Sequence, residues 1–206
     1  MPKISEEQKE AVRQDILAAA RNVFMRKGYE AASMKDIVVE SGKSFGGVYM
    51  YYPSKEKLFY DLLRRQYTRM GEQLIQQEPD DSWTAVERFL ESQLKLAAEA
   101  ESGLAPCMYE FFIVGRRDKE RRKVIDERHR AVYASIERLL LEGIERGLFR
   151  PAVPVESIVH SLISFLDGVF IESIITGHDR IGLDRQFELV KSLLKNLLIE
   201  HGGTVQ

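Results

Sequence analysis

Ser33-Met34-Lys35-Asp36-Ile37-Val38-Val39-Glu40-Ser41-Gly42-Lys43-Ser44-Phe45-Gly46-Gly47-Val48-Tyr49-Met50-Tyr51-Tyr52 contains two short helical segments separated by one glycine. Ser33 stands where an N-cap belongs, and Asp36, three residues on, suits the positive end of the helix dipole. Met34, Ile37 and Val38 turn one apolar face inward. Gly42 ends the first segment. The second runs from Ser44 to about Tyr51, and Pro53 breaks the chain after it. A short helix, a tight glycine turn and a second short helix make a helix-turn-helix, whose second helix lies in the major groove of DNA.

Gly46 and Gly47 lie inside this second helix, where each costs about 1 kcal/mol relative to alanine. Close approach of a bare backbone to a base edge or phosphate is one explanation. Val48 is expected to face the core. Tyr49 and Tyr51 can offer hydroxyls to phosphates, and Phe45 can touch a thymine methyl. Ser33, Ser44 and Lys55 stand at helix N-terminal ends, where backbone N–H groups attract anions. Met50 completes the set expected at the DNA surface. The plain alternative is a tight helical hairpin whose tyrosines only pack.

Outward from this stretch, apolar residues recur at three and four nearly everywhere. The spacing predicts an all-α chain of about nine helices. Ser5 and Gln8 have capping-box spacing at the start of the first, and Gly28 is its stop. A long fourth helix is predicted from Ser54 to about Gln77. Glu78-Pro79-Asp80-Asp81-Ser82 is a break. Further helices are predicted over Ser82 to Glu101, Pro106 to Val114, Asp118 to Arg146, Val155 to Thr176 and Leu183 to His201, with a frayed tail from Gly202. Residues 1–53 are expected to form the helix-turn-helix domain and 54–206 a regulatory and dimerisation domain, with helix 54–77 linking them.

The 206 residues are 44% apolar and 30% charged, with a net charge of −2. That near-balance excludes a polybasic, histone-like protein. Residues 1–60 hold 10 basic and 8 acidic side chains, and residues 61–206 hold 20 and 24. The front therefore has the sign that a nucleic acid favours. A single cysteine, Cys107, excludes an intramolecular disulfide and a multi-cysteine metal site. Polar Met1 to Glu10 is no secretory signal. The apolar run Val155 to Ile175 is interrupted by Glu156, His160, Asp167 and Glu172, which argues against a membrane span. A cytoplasmic protein is expected. No Walker loop, GxGxxG, HExxH or GxSxG occurs, so neither a cofactor nor an enzymatic activity is expected.

Ala31-Ala32-Ser33-Met34-Lys35-Asp36-Ile37, Ser41-Gly42 and Gly46 through Leu58 (GGVYMYYPSKEKL) closely resemble the N-terminal domain of TetR-family transcriptional regulators. The resemblance covers about residues 10–63. It implies an all-α homodimer, most often a repressor released from DNA by a small molecule. It also implies that Ser33, Tyr49 and Lys55 contact phosphates, with Lys43, Phe45, Gly46 and Gly47 at or near base edges. Two positions depart from the family pattern. Lys43 replaces a usual apolar residue, and Phe45 stands where a small or basic one is common.

The resemblance fades after residue 63. The helix from Val155 carries 12 apolar residues in 21, more than one core-facing stripe needs. Val159, Leu162, Leu166 and Val169 share a face with Val155. In the last helix Phe187, Val190, Leu194 and Leu197 follow Leu183 at 4-3-4-3 spacing. These eight residues are expected at a homodimer interface built as a four-helix bundle, against the alternative of a larger monomer core. A two-fold dimer would read a near-palindromic operator on double-stranded DNA.

A largely apolar effector is expected among Met108, Phe111, Phe112, Tyr133 and Phe165. His129 is a candidate polar anchor, and Glu110 would suit a lipophilic cation. Core packing is the alternative for these aromatics. Arg116 to Lys123 is strongly basic and reads first as a solvated helix start. Two other functions keep the same architecture: an all-α carrier or enzyme that has lost DNA binding, and an activator.

Overall fold

The computed structural model describes residues 5–75 and 82–199. Nine α-helices occur among them: α1 (Glu6–Lys27), α2 (Met34–Ser41), α3 (Phe45–Tyr49), α4 (Lys55–Ile75), α5 (Ser82–Ala98), α6 (Ala105–Gly115), α7 (Lys119–Glu145), α8 (Val155–Thr176) and α9 (Leu183–Leu198). Short 3-10 turns cover Ala100–Ser102 and His178–Arg180. The described residues contain no strand. The expected break at 78–81, the expected ends of α4 and α9, and the tail from 202 fall outside the described residues.

Capping explains most of these boundaries. Ser5 and Gln8 exchange side-chain and backbone hydrogen bonds, as do Ser33 and Asp36. Gly42 takes φ 63°, which only glycine adopts readily, and its N–H closes on the Val39 carbonyl. Ser44 caps α3 by accepting from the Gly47 N–H at 3.1 Å. α3 stops at Tyr49, shorter than the expected run to Tyr51. Pro53 biases the residue before it away from helical backbone.

Contacts divide the chain into two compact units. Met1–Gln66 with Ser102–Ile125 form one, and Tyr67–Glu101 with Asp126–Gln206 form the other. The division of these units falls inside α4. The reason is an aromatic cluster. Phe59 of α4 lies 5.0 Å from Phe24 and 4.7 Å from Tyr29, and Phe111 of α6 lies 4.9 Å from Tyr29 and 5.1 Å from Phe59. Each such pair adds roughly 0.5–1.5 kcal/mol beyond its burial. Ile37, Val48, Leu58 and Leu63 complete this core.

The second unit packs α5, α7, α8 and α9 around Val86, Phe89, Ile136, Leu140, Val159, Leu162 and Leu198. By length and composition α8 could cross a membrane. Its Ile158, Val159, Leu162, Ile163, Leu166 and Val169 are instead buried in this core. At the end of α7, Gly143 lies against Phe149, whose ring occupies the space a Cβ would need. The Phe149 N–H donates to the Gly143 carbonyl at 3.1 Å.

Candidate functional site

α3 turns Val48 wholly inward. Its other face carries Phe45, Tyr49 and Met50, which are 53%, 43% and 75% exposed. The Phe45 and Tyr49 rings stack at 5.9 Å with planes 14° apart. A Cβ on Gly46 would meet nothing within 4 Å, so a partner can approach the backbone there. Gly47 has a different reason, since a Cβ would press on the capping Ser44 Oγ. Tyr51 is half-buried with the Arg13 guanidinium 5.8 Å from its ring.

Several expected phosphate ligands are engaged inside the fold. Lys55 Nζ donates to the carbonyls of Tyr29 (2.9 Å), Glu30 (2.9 Å) and Ala32 (3.0 Å). It also lies 4.7 Å from the centre of the Tyr29 ring. An ammonium has three donors, and in this structure all three are used to clamp the α1–α2 turn. Ser33 Oγ donates to the Asp36 carboxylate at 2.7 Å and accepts from the Asp36 N–H, so it too serves the cap. Lys43 Nζ pairs with Asp15 of α1 at 2.9 Å, which seats this unusual lysine beside the turn. Lys27 and the Ser33 groups hold the Asp36 carboxyl down at about 2.

The expected effector residues fall in different units. Phe111 is fully buried in the aromatic cluster of the first unit, and Met108 is buried there too. Phe112 packs edge-on to Phe111 and Tyr109. Glu110 caps a turn in this structure: it accepts the N–H of Tyr29 at 2.7 Å and of Glu30 at 3.3 Å. Arg121, from the basic run, is engaged as well. It bonds Glu30 at 2.6 Å and lies 5.0 and 5.1 Å from the Tyr29 and Phe111 rings. In the second unit Phe165 packs on Phe187 at 5.4 Å. His129 is exposed and stacked on His160, which Tyr133 also touches. No cluster of metal-ligating side chains occurs among the described residues.

A polar feature of the second unit escaped the sequence reading. The Tyr67 hydroxyl is buried with no hydrogen-bond partner among the described residues. Burial pushes its pKa up, with Arg128 opposing and Asp167 adding to the rise. Arg128 and Asp167 are themselves paired at 2.9 Å. Asp167 within the apolar run of α8 was the one available signal.

The expected dimer side chains pack largely within the protomer. Val159, Leu162, Leu166, Val169, Phe187 and Leu194 are buried in the protomer's own core, and Val190 and Leu197 pack against it. Val190 and Leu197 keep part of their surface open to solvent. The apolar residues left uncovered on these helices are Ile175 (77% exposed), Leu189 (60%) and Leu193 (51%).

With this geometry in place, comparison with known proteins is direct. Residues 16–62 match the family model described as bacterial regulatory proteins, tetR family, and residues 85–184 match the tetracyclin repressor-like C-terminal domain. The helix-turn-helix transcriptional regulator YfiR of Bacillus subtilis is 30% identical over 198 residues, covering 96% of this chain and 97% of that one. The chain belongs to the TetR family. It is a DNA-binding transcription regulator of the helix-turn-helix type. The repressor AcnR of Corynebacterium glutamicum is 28% identical over 187 residues, 89% of this chain and 92% of its own. A solved complex of SmeT with triclosan shares the TetR fold at TM-score 0.74 and 19% identity, covering 95% of this chain and 97% of that one.

Proposed function

We propose that the chain is a transcriptional repressor that binds a near-palindromic operator as a homodimer and leaves it when a small, largely apolar effector binds. The observation that carries this reading is the outer face of α3. Phe45, Tyr49 and Met50 surround the open backbone at Gly46, on a helix capped at Ser44 and anchored by buried Val48. An isolated helix this short is unstable in water.

The uncovered apolar face of α8 and α9 supports the dimer. Ile175, Leu189 and Leu193 lie exposed, and Gly168 has open space where a Cβ would stand. Two copies joined there would be related by a two-fold axis. Their α3 helices would read half-sites about 34 Å apart, or a multiple of that.

The similarity to AcnR supports repression, and the triclosan complex of SmeT supports an apolar effector. The Tyr67 hydroxyl beside Arg128 and Asp167 is a polar point at which such an effector could anchor. Release requires only that the effector bind the off-DNA state more tightly, by about 1–3 kcal/mol. The protein would act in the cytoplasm and without catalysis.

The test is selection of random duplexes by the purified protein at about 150 mM salt, the range in which specific affinities are compared. A near-palindromic sequence retained at two protomers per duplex is the expected result. Absence of any enriched sequence would overturn the reading.

A further inference from the structure

The α3 surface has an unusual chemistry for a reader of DNA. From Ser44 to Tyr52 there is no Arg, Lys, Asn, Gln, Asp or Glu. These side chains supply the usual bidentate hydrogen bonds to guanine and adenine edges and the acceptors for cytosine. The nearest cation, Lys43, is paired with Asp15. The Ser44 Oγ already accepts the Gly47 N–H. What α3 does present is carbon: Phe45, the Tyr49 ring and Met50, with Val39 of α2 also 73% exposed.

In the major groove one feature of unmethylated DNA rewards an apolar side chain, the C5-methyl of thymine. Phe45 is prepared for it. Its stacking on Tyr49 at 5.9 Å and 14° holds the ring in place before any contact, so little side-chain freedom remains to be lost on binding. Phe45 is the first residue of α3, the end of a recognition helix that meets base edges. Gly46 beside it leaves the backbone open to close approach.

We infer that Phe45, stacked on Tyr49, reads thymine methyl groups, and that operator specificity rests on these apolar contacts more than on hydrogen bonds to base edges. The inference depends on the DNA-binding reading above, and the experiment separates the two.

In the selected operator each thymine is replaced in turn by deoxyuridine, which keeps every hydrogen bond and lacks only the methyl group. Wild-type protein should lose about fourfold in affinity at one or two positions per half-site, the value of one buried methyl. Replacement in both half-sites should multiply the losses. Phe45→Ala should bind thymine and deoxyuridine duplexes equally, while Phe45→Leu should retain part of the preference. Because Phe45 is exposed, both variants should melt at the wild-type temperature, and Tyr49→Phe should keep the preference because the ring stack survives. An operator indifferent to deoxyuridine everywhere overturns this inference alone. So does a Phe45→Ala protein that still prefers thymine. If no duplex is bound specifically, the DNA-binding reading fails, and this one fails with it.

Discussion

The Glu110 carboxylate of α6 accepts the backbone N–H of Tyr29 at 2.7 Å, across 81 residues of sequence. The second oxygen reaches the Glu30 N–H. α6 thereby closes the turn that joins the first two helices of the DNA-reading unit. A side chain at Gly28 would press on the same carboxylate. Glu110→Ala should lower stability by about 1–3 kcal/mol, since it strips a partner from a buried donor. Urea denaturation checks this. An unchanged midpoint would return Glu110 to the list of effector contacts.

Lys55 works on the same turn from the opposite polarity, through three carbonyls. Lys55→Met should therefore destabilise the protein while leaving the salt dependence of DNA binding intact. A true phosphate contact would change the slope of log affinity against log salt by about 0.9. Titration at several salt concentrations distinguishes the two outcomes.

Cys107 Sγ donates to the Phe24 carbonyl at 2.8 Å. Burial, with Glu110 adding to it, raises the thiol from 9.0 to about 11. A raised folded pKa means full stability below pH 9 and progressive loss as pH climbs through about 11. Native protein should resist iodoacetamide at pH 8 and react on unfolding. Cys107→Ala should flatten the alkaline decline. Rapid alkylation of folded protein would contradict this placement.

Leu193 and Leu194 are adjacent on α9, about 100° apart around it, yet 51% and 5% exposed. Leu193→Glu should give a folded monomer by sedimentation, with the helical signal in circular dichroism preserved. Leu194→Glu should unfold the second unit. If Leu193→Glu remains dimeric, the partner surface lies elsewhere.

Gly143→Ala should be destabilising by about 1–3 kcal/mol, because the Phe149 ring fills the space a methyl would need. Combining it with Phe149→Leu should relieve part of that loss. Strict additivity by thermal melting would show that the two sites do not share this space.

The helices and the helix-turn-helix were legible because their causes are local. Ser5 with Gln8 and Ser33 with Asp36 are caps three residues apart. Gly28 and Gly42 mark helix ends that positive φ requires. Pro53 ends the recognition segment. Apolar spacing of three and four shows α8 and α9 to be helices, whatever they pack against. The motif from Gly46 to Leu58 lies within one short stretch, so its resemblance survives without any knowledge of the fold.

The sequence by itself determined the secondary structure, the helix-turn-helix and the outward chemistry of Phe45, Tyr49 and Met50. The tertiary structure decided which charged groups are already engaged and which apolar faces remain open. Lys55 reads as a phosphate ligand until the carbonyls 23 to 26 residues away are in place. Glu110 reads as a receptor until the turn 80 residues earlier closes on it. Along α8 and α9 both apolar sides look equivalent in one dimension. Only the packed core of the second unit covers Leu162 and Leu194 and leaves Ile175, Leu189 and Leu193 outside. Hydrogen bonds and burial are set by neighbours in space, and for these residues the neighbours are distant in the chain.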